Sequence, residues 1–201
     1  FAGPAPGGEL LLRWIQNGIF QPRFCINSAN NDNTVTQPWM YEENLPYVQA
    51  AYAQRYRMIP YLYSVMRESH ENGMPVMRPL FLEFPEDVKC DLTFMFGPSV
   101  LVANVVEKGA ITRTIYLPKG TTWYDMNDNF KAYEGGQTIE LPVDLSSIPM
   151  FLRGSAVYMT TEDIHHIAKD TMKALDLFVS CEEDAEFTYY DDDGWSKEYE
   201  E

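Results

Sequence analysis

The sequence predicts an α+β fold: two helical segments, then an antiparallel β-sandwich, then the opening of a second β unit. Three observations predict it. Apolar residues recur at helical spacing up to Asn72-Gly73. After Pro75 the composition switches to short Val/Ile/Phe/Tyr segments divided by Gly and Pro, with turn signals about every ten residues. A polar stretch over 160–171 then precedes ALDLFVS, which alternates cleanly and opens the last unit. The boundaries expected from this are 1–74, 75–160 and 161–201.

FAGPAPGGE is a Gly/Pro connection. From Glu9 a helix begins, with Leu11, Leu12, Trp14 and Ile15 expected on one face and Gly18 as its left-handed stop. FQPRFCINSANNDNTVTQPWMY, residues 20–41, follows as a loop whose Asn and Asp compete for backbone hydrogen bonds. Asn44 should cap the second helix, with Pro46 in its first turn. Leu45, Val48, Tyr52, Tyr56, Ile59, Tyr63 and Met66 should form its buried stripe. Pro60 should kink it, and Asn72-Gly73 should end it. The strands expected beyond are VMRPLFLEF, SVLVANVV, RTIYLP, TTWYDM, QTIELPV, PMFLRG and SAVYMT, and EFTYYDDDG reads as a strand running into a tight turn.

With 201 residues there is length for a sizeable core. The formal charge of −15 disfavours nucleic acid and anionic membrane as partners, and residues 182–201 carry −9 of it. Arg55 and Arg57 among tyrosines therefore read as helix packing rather than a nucleic-acid stripe. No run of about eighteen apolar residues exists to span a bilayer. The chain opens on Phe1 without a basic-then-apolar leader, and reads as a fragment of a longer polypeptide. Cys25, Cys90 and Cys181 fit no zinc spacing, and three reduced thiols point to the cytosol.

Several constellations have ordinary readings. Asp191, Asp193, Gly194 and Glu200 match part of a calcium loop, but Tyr189 stands where its first acidic ligand belongs. A calcium-stabilised β module is thus the weakest of three functional alternatives. WYDMND, with Asp125 and Asp128, lies between strand patterns and reads as a turn. His165-His166 and His70 read as solvated, and neither a metal site nor any other cofactor is expected. Residues 20–41 differ: Phe24, Trp39 and Tyr41 offer faces for stacking, and Asn27, Ser28, Asn30, Asn31 and Asp32 offer polar groups for hydroxyls. Composition alone still favours a loop packed on its neighbours.

The wording of the chain adds to this. GGELLLRWIQNGIFQPRF, RYRMIPYLYSVMRESHENGMPVMRPLFLEFPED, FMFGPSVLVANVVEKGAITRTIYLPKGTTWYDM and YEGGQTIELPVDLSSIPMFLRGS, in this order, resemble glycoside hydrolase family 31, the retaining α-glycosidases. The resemblance implies the closing helices of a (β/α)₈ barrel, a proximal β-sandwich and the start of a distal β domain. It implies two catalytic aspartates, roughly 5 Å apart as retention requires, both upstream of Phe1. No catalytic residue is then expected in this chain, which alone should be inactive and should need the rest of the barrel as partner. Phe1 matches the Phe after the family's Gly-Gly pair, and Asn27 matches a His that bonds sugar hydroxyls. With Asp32 and Trp39 they form the expected site for a carbohydrate, an α-glycoside. Asn at position 27 is shorter than His and cannot be cationic. INSANNDNTVTQPWMY looks closer to the branch associated with α-galactosides and α-N-acetylgalactosaminides. Asn104 stands where the family has Pro, and YYDDDG matches its Tyr-Glu-Asp-Asp-Gly hairpin. The alternative to an enzyme part is a non-catalytic carbohydrate-binding or scaffold module, or an inactive homologue.

Overall fold

A computed structural model describes residues 1, 4–28, 35–87, 92–162, 164, 166–167 and 174–197. Helix α1 runs Gly8–Gly18. A single 3₁₀ turn, Glu42–Asn44, leads into α2, Leu45–Arg57, and α3, Ile59–Asn72. Ten short strands follow, interrupted early by the one-turn helix α4, Leu80–Glu83.

The strands pair antiparallel throughout. β1 (Met77–Pro79), β2 (Phe94–Phe96), β3 (Val100–Val102), β8 (Met150–Arg153), β5 (Thr122–Asp125) and β6 (Lys131–Glu134) form one sheet in that spatial order. β4 (Thr112–Leu117) and β7 (Gln137–Pro142) form a separate ribbon, as do β9 (Ala156–Thr161) and β10 (Leu175–Ser180). Side-chain alternation along the central strands explains the layering. Phe96, Val100, Val102, Met150 and Leu152 join Leu11, Leu12, Ile15, Tyr61 and Val65 of the helices in one core. Met95, Leu101, Trp123 and Phe151 point the other way, onto Ile115 and Leu117 of the β4–β7 ribbon. The sheet is therefore covered on both faces, which is why β3 reads as an unbroken apolar run. Trp123 is fully buried with its Nε1 donating to Pro118 O at 2.9 Å, so its polar edge is not stranded.

Several expectations need correction. Gly18 lies inside α1 and the cap, Ile19, is right-handed. A Cβ on Gly18 would sit 2.6 Å from the Phe24 ring, so the glycine serves close packing rather than a reversal. Trp14 is exposed, not part of the buried face. Asn44 precedes α2 but its side chain makes no cap bond. The helix divides at Met58 instead of kinking: Pro60 falls in the first turn of α3, where its missing N–H costs nothing. Gly73 does close α3 in the left-handed region, at φ 79°. Of the expected stripe only Val48 is buried; α3 instead buries Pro60, Tyr61, Leu62, Ser64 and Val65. VMRPLFLEF splits into β1 and α4, because Glu83 is drawn onto Arg78 and Arg153. β2 and β6 arise where no strand is expected, and residues 184–190 form none. Half of the polar stretch at 160–171, His165 included, lies outside the described residues, and its first two residues belong to β9.

Candidate functional site

α1 delivers the chain to the candidate loop, and α2 holds it there. Gly18 allows the Phe24 ring to lie directly against α1. Phe24 also meets Tyr52 of α2, ring centroids 5.3 Å apart. Arg55, one turn further along α2, reaches under the segment that leaves α1. Its Nη1 donates to the carbonyls of Ile19 (2.5 Å) and Gln21 (2.7 Å), and its Nη2 to that of Pro22 (3.2 Å). The guanidinium carbon stands 5.4 Å from the centre of the Phe24 ring. Burial pushes the Arg55 pKa below its ordinary value.

Phe1 and Asn27 meet through the backbone, the Phe1 nitrogen donating to the Asn27 carbonyl. The Phe1 ring meets Trp14 edge-on at 5.5 Å. The Asn27 side chain is exposed, and its Nδ2 lies 3.5 Å from Cys25 Sγ, a weak acceptor. Trp39 is 64% exposed and borders a depression of ≈ 300 Å³ with Cys25, Ile26, Thr36 and Tyr52. Asp32 lies outside the described residues. Thus Phe1 and Asn27 are brought together, and Trp39 flanks the same segment from the side of Cys25 and Ile26.

Sequence reasoning missed Thr36. Its backbone N–H donates to Ser28 Oγ at 2.7 Å. Its own hydroxyl, in the wall of that depression, is buried with no hydrogen-bond partner among the described residues. Nothing in the linear pattern marks it.

The stripe expected as core lies elsewhere. Tyr52, Tyr56, Ile59, Tyr63 and Met66 line an open groove of ≈ 550 Å³ with Phe24 and Leu62. The remaining candidates are occupied structurally. Asp125 is buried at the end of β5, where its Oδ1 accepts the Asn127 N–H at 2.9 Å and closes a turn. Asp192 accepts the Tyr63 hydroxyl at 2.8 Å, and Asp193 accepts the N–H groups of Trp195 and Ser196. Asn104 donates to Asn17 Oδ1 at 2.7 Å, joining the sandwich to α1. His70 and His166 are exposed.

Two family models match the chain in succession. The glycosyl hydrolases family 31 TIM-barrel domain covers residues 1–65, and the glycosyl hydrolase family 31 C-terminal domain covers residues 73–158. The chain belongs to glycosyl hydrolase family 31. Its α1, α2 and the first half of α3 thus fall within the match to the family's barrel, and β1–β8 within the match to its C-terminal domain. Human neutral alpha-glucosidase AB is 35% identical over 207 residues, 99% of this chain and 22% of that protein. A probable glucan 1,3-alpha-glucosidase of Oryza sativa subsp. japonica is also 35% identical, over 99% of this chain and 22% of its own length. The chain thus spans about a fifth of the length of the curated relatives it matches. Among solved structures, a Flavobacterium johnsoniae GH31 dextranase mutant complexed with isomaltotriose superposes at a TM-score of 0.83, with 35% identity, over 96% of this chain and 24% of that one. A GH31 alpha-xylosidase from Xanthomonas citri superposes at 0.79, with 30% identity, over 96% and 21%. The expected leaning towards α-galactosides finds no support in these relatives.

Proposed function

We propose that this chain is the C-terminal part of a retaining α-glycosidase and that its segment 24–39 forms one wall of the sugar subsite. The succession of barrel and sandwich matches along one chain carries the reading. The catalytic carboxylates come from the preceding barrel strands, which also supply the neighbours that residues 24–28 need. A parallel barrel strand takes its hydrogen bonds from both sides, and 24–28 joins no ladder among the described residues. The open groove beside Phe24 is then the face on which the rest of the barrel closes. The functional division at 74/75 separates the site-bearing part from its support.

In this reading Phe1 and Trp39 present apolar faces to the sugar, and Asn27, with Asp32, bonds its hydroxyls. An α-glucoside is the first substrate to try, because the relatives' names are those of α-glucosidases and a dextranase. The test is steady-state kinetics with aryl α-glucoside, α-xyloside, α-galactoside and α-N-acetylgalactosaminide. Turnover is expected from the protein with its complete barrel and not from residues 1–201 alone. In the former, Asn27→Ala should lower kcat/KM by about 1–3 kcal/mol. Unchanged kinetics in a folded Asn27→Ala protein would remove Asn27 from the site.

A further inference from the structure

We infer that Arg55 is a positioning residue for the sugar subsite: its guanidinium fixes the chain leaving α1 and, through Phe24, the placement of Asn27. This rests on the reading of 24–39 as a subsite wall.

Three successive features converge on one planar group. The carbonyls of Ile19, Gln21 and Pro22 lie between α1 and the candidate segment, and one guanidinium takes all three, at 2.5, 2.7 and 3.2 Å. Carbonyls at a helix end have no partner within the helix and must find one. The same guanidinium covers a face of Phe24, whose ring is confined by Gly18 and by Tyr52. Asn27 follows Phe24 by three residues, so whatever restrains the Phe24 ring and the chain before it also restrains the placement of Asn27. Arg55 supplies that restraint from a rigid helix. A fork of five N–H donors can serve three carbonyls and a ring face at once, whereas a lysine ammonium is a point charge that cannot. Arg55 does not touch the sugar; it acts through Phe24 and Asn27.

Two measurements test this. The first is hydrogen exchange on the protein with its complete barrel, carrying Arg55→Lys. Amides of residues 20–28 should exchange faster while those of β3 and β8 stay as in the wild type. Unchanged exchange at 20–28 overturns the inference, whatever the enzyme does. The second is a kinetic cycle in the protein with its complete barrel, comparing Arg55→Lys, Arg55→Met, Asn27→Ala and the double variant Arg55→Lys/Asn27→Ala. Both Arg55 variants should lose roughly tenfold or more in kcat/KM, and the double variant should be no worse than Asn27→Ala alone. Full rescue by lysine, or losses that simply add, would mean that Arg55 contributes charge or general stability only, and would overturn the inference. Wild-type kinetics in Asn27→Ala would instead sink the subsite reading, and the exchange result would then decide Arg55 separately.

Discussion

Asp192 shows how a single carboxylate in an acidic tail becomes specific. It accepts the hydroxyl of Tyr190, the hydroxyl of Tyr63 on α3 at 2.8 Å, and the Gly194 N–H at 2.8 Å. The Tyr190 hydroxyl, then that of Tyr63, holds its pKa below the usual carboxylate value against the opposing effect of desolvation and of Asp193. Burial, and then the bond to Asp192, pushes Tyr63 up to about 12. The sign follows from linkage. A carboxylate more acidic in the folded than the unfolded state stabilises above its unfolded pKa, about 3.9, and loses that contribution as pH falls further. At the other end Tyr63, less acidic when folded, contributes below about pH 10 and loses its contribution as pH rises towards 12. Asp192→Asn should therefore lower the melting temperature at pH 7 and narrow its gap to wild type between about pH 5 and 3. Parallel melting curves over that range would refute the assignment. The YYDDDG motif was legible as a turn. The role of its middle Asp was not, because Tyr63 lies 129 residues away in sequence.

At the scale of elements, α1 and the segment after it depend on the absence of one methyl group. Alanine is about 1 kcal/mol better than glycine in a helix interior, while overpacking costs about 1–3 kcal/mol. At Gly18 the second effect should win. The new Cβ would lie 2.6 Å from a Phe24 ring that Tyr52 and Arg55 already confine. Gly18→Ala should destabilise by about 1–2 kcal/mol in urea unfolding; a gain in stability would show that the ring swings clear. Periodicity located α1 and a single helix where α2 and α3 stand, and it chose the wrong buried face for the α3 part. It counted Tyr and Met at three- and four-residue steps, whereas the sheet made contact with Tyr61, Leu62 and Val65. The groove-lining stripe is equally apolar, so composition could not separate a face met by a sheet from one left open. β2 and β6 were missed for a related reason. FMF is three residues long, and KAYE is polar on both sides, so neither carries an alternation to read.

At the scale of the whole molecule, helices and sheet share one core, and polar side chains of α1 fix the sandwich to it. Glu9, Arg13, Gln16 and Asn17 form a helical stripe aimed at sandwich loops. Glu9 accepts the Gly109 N–H at 2.8 Å, and Gln16 donates to Leu145 O at 2.7 Å. Arg13, only 7% exposed, donates to Asp144 O at 2.9 Å and to Gln16 Oε1 at 2.9 Å. Arg13→Met should cost about 2 kcal/mol, because it strips buried acceptors of a charged donor. It should also separate the melting of helices and sandwich, followed by circular dichroism in the helical band and by Trp123 fluorescence. A single unchanged transition would argue against this joint.

Sequence alone determined the α+β order, the switch after Gly73, the antiparallel strands and, through long ordered motifs, the family. These rest on local propensity, period and wording, which survive in one dimension. Tertiary structure decided which helix faces are buried, that Gly18 is a contact point and that Arg55 grips three carbonyls. Each is a meeting of residues that are not sequence neighbours, set by how the elements pack, and no local pattern encodes it.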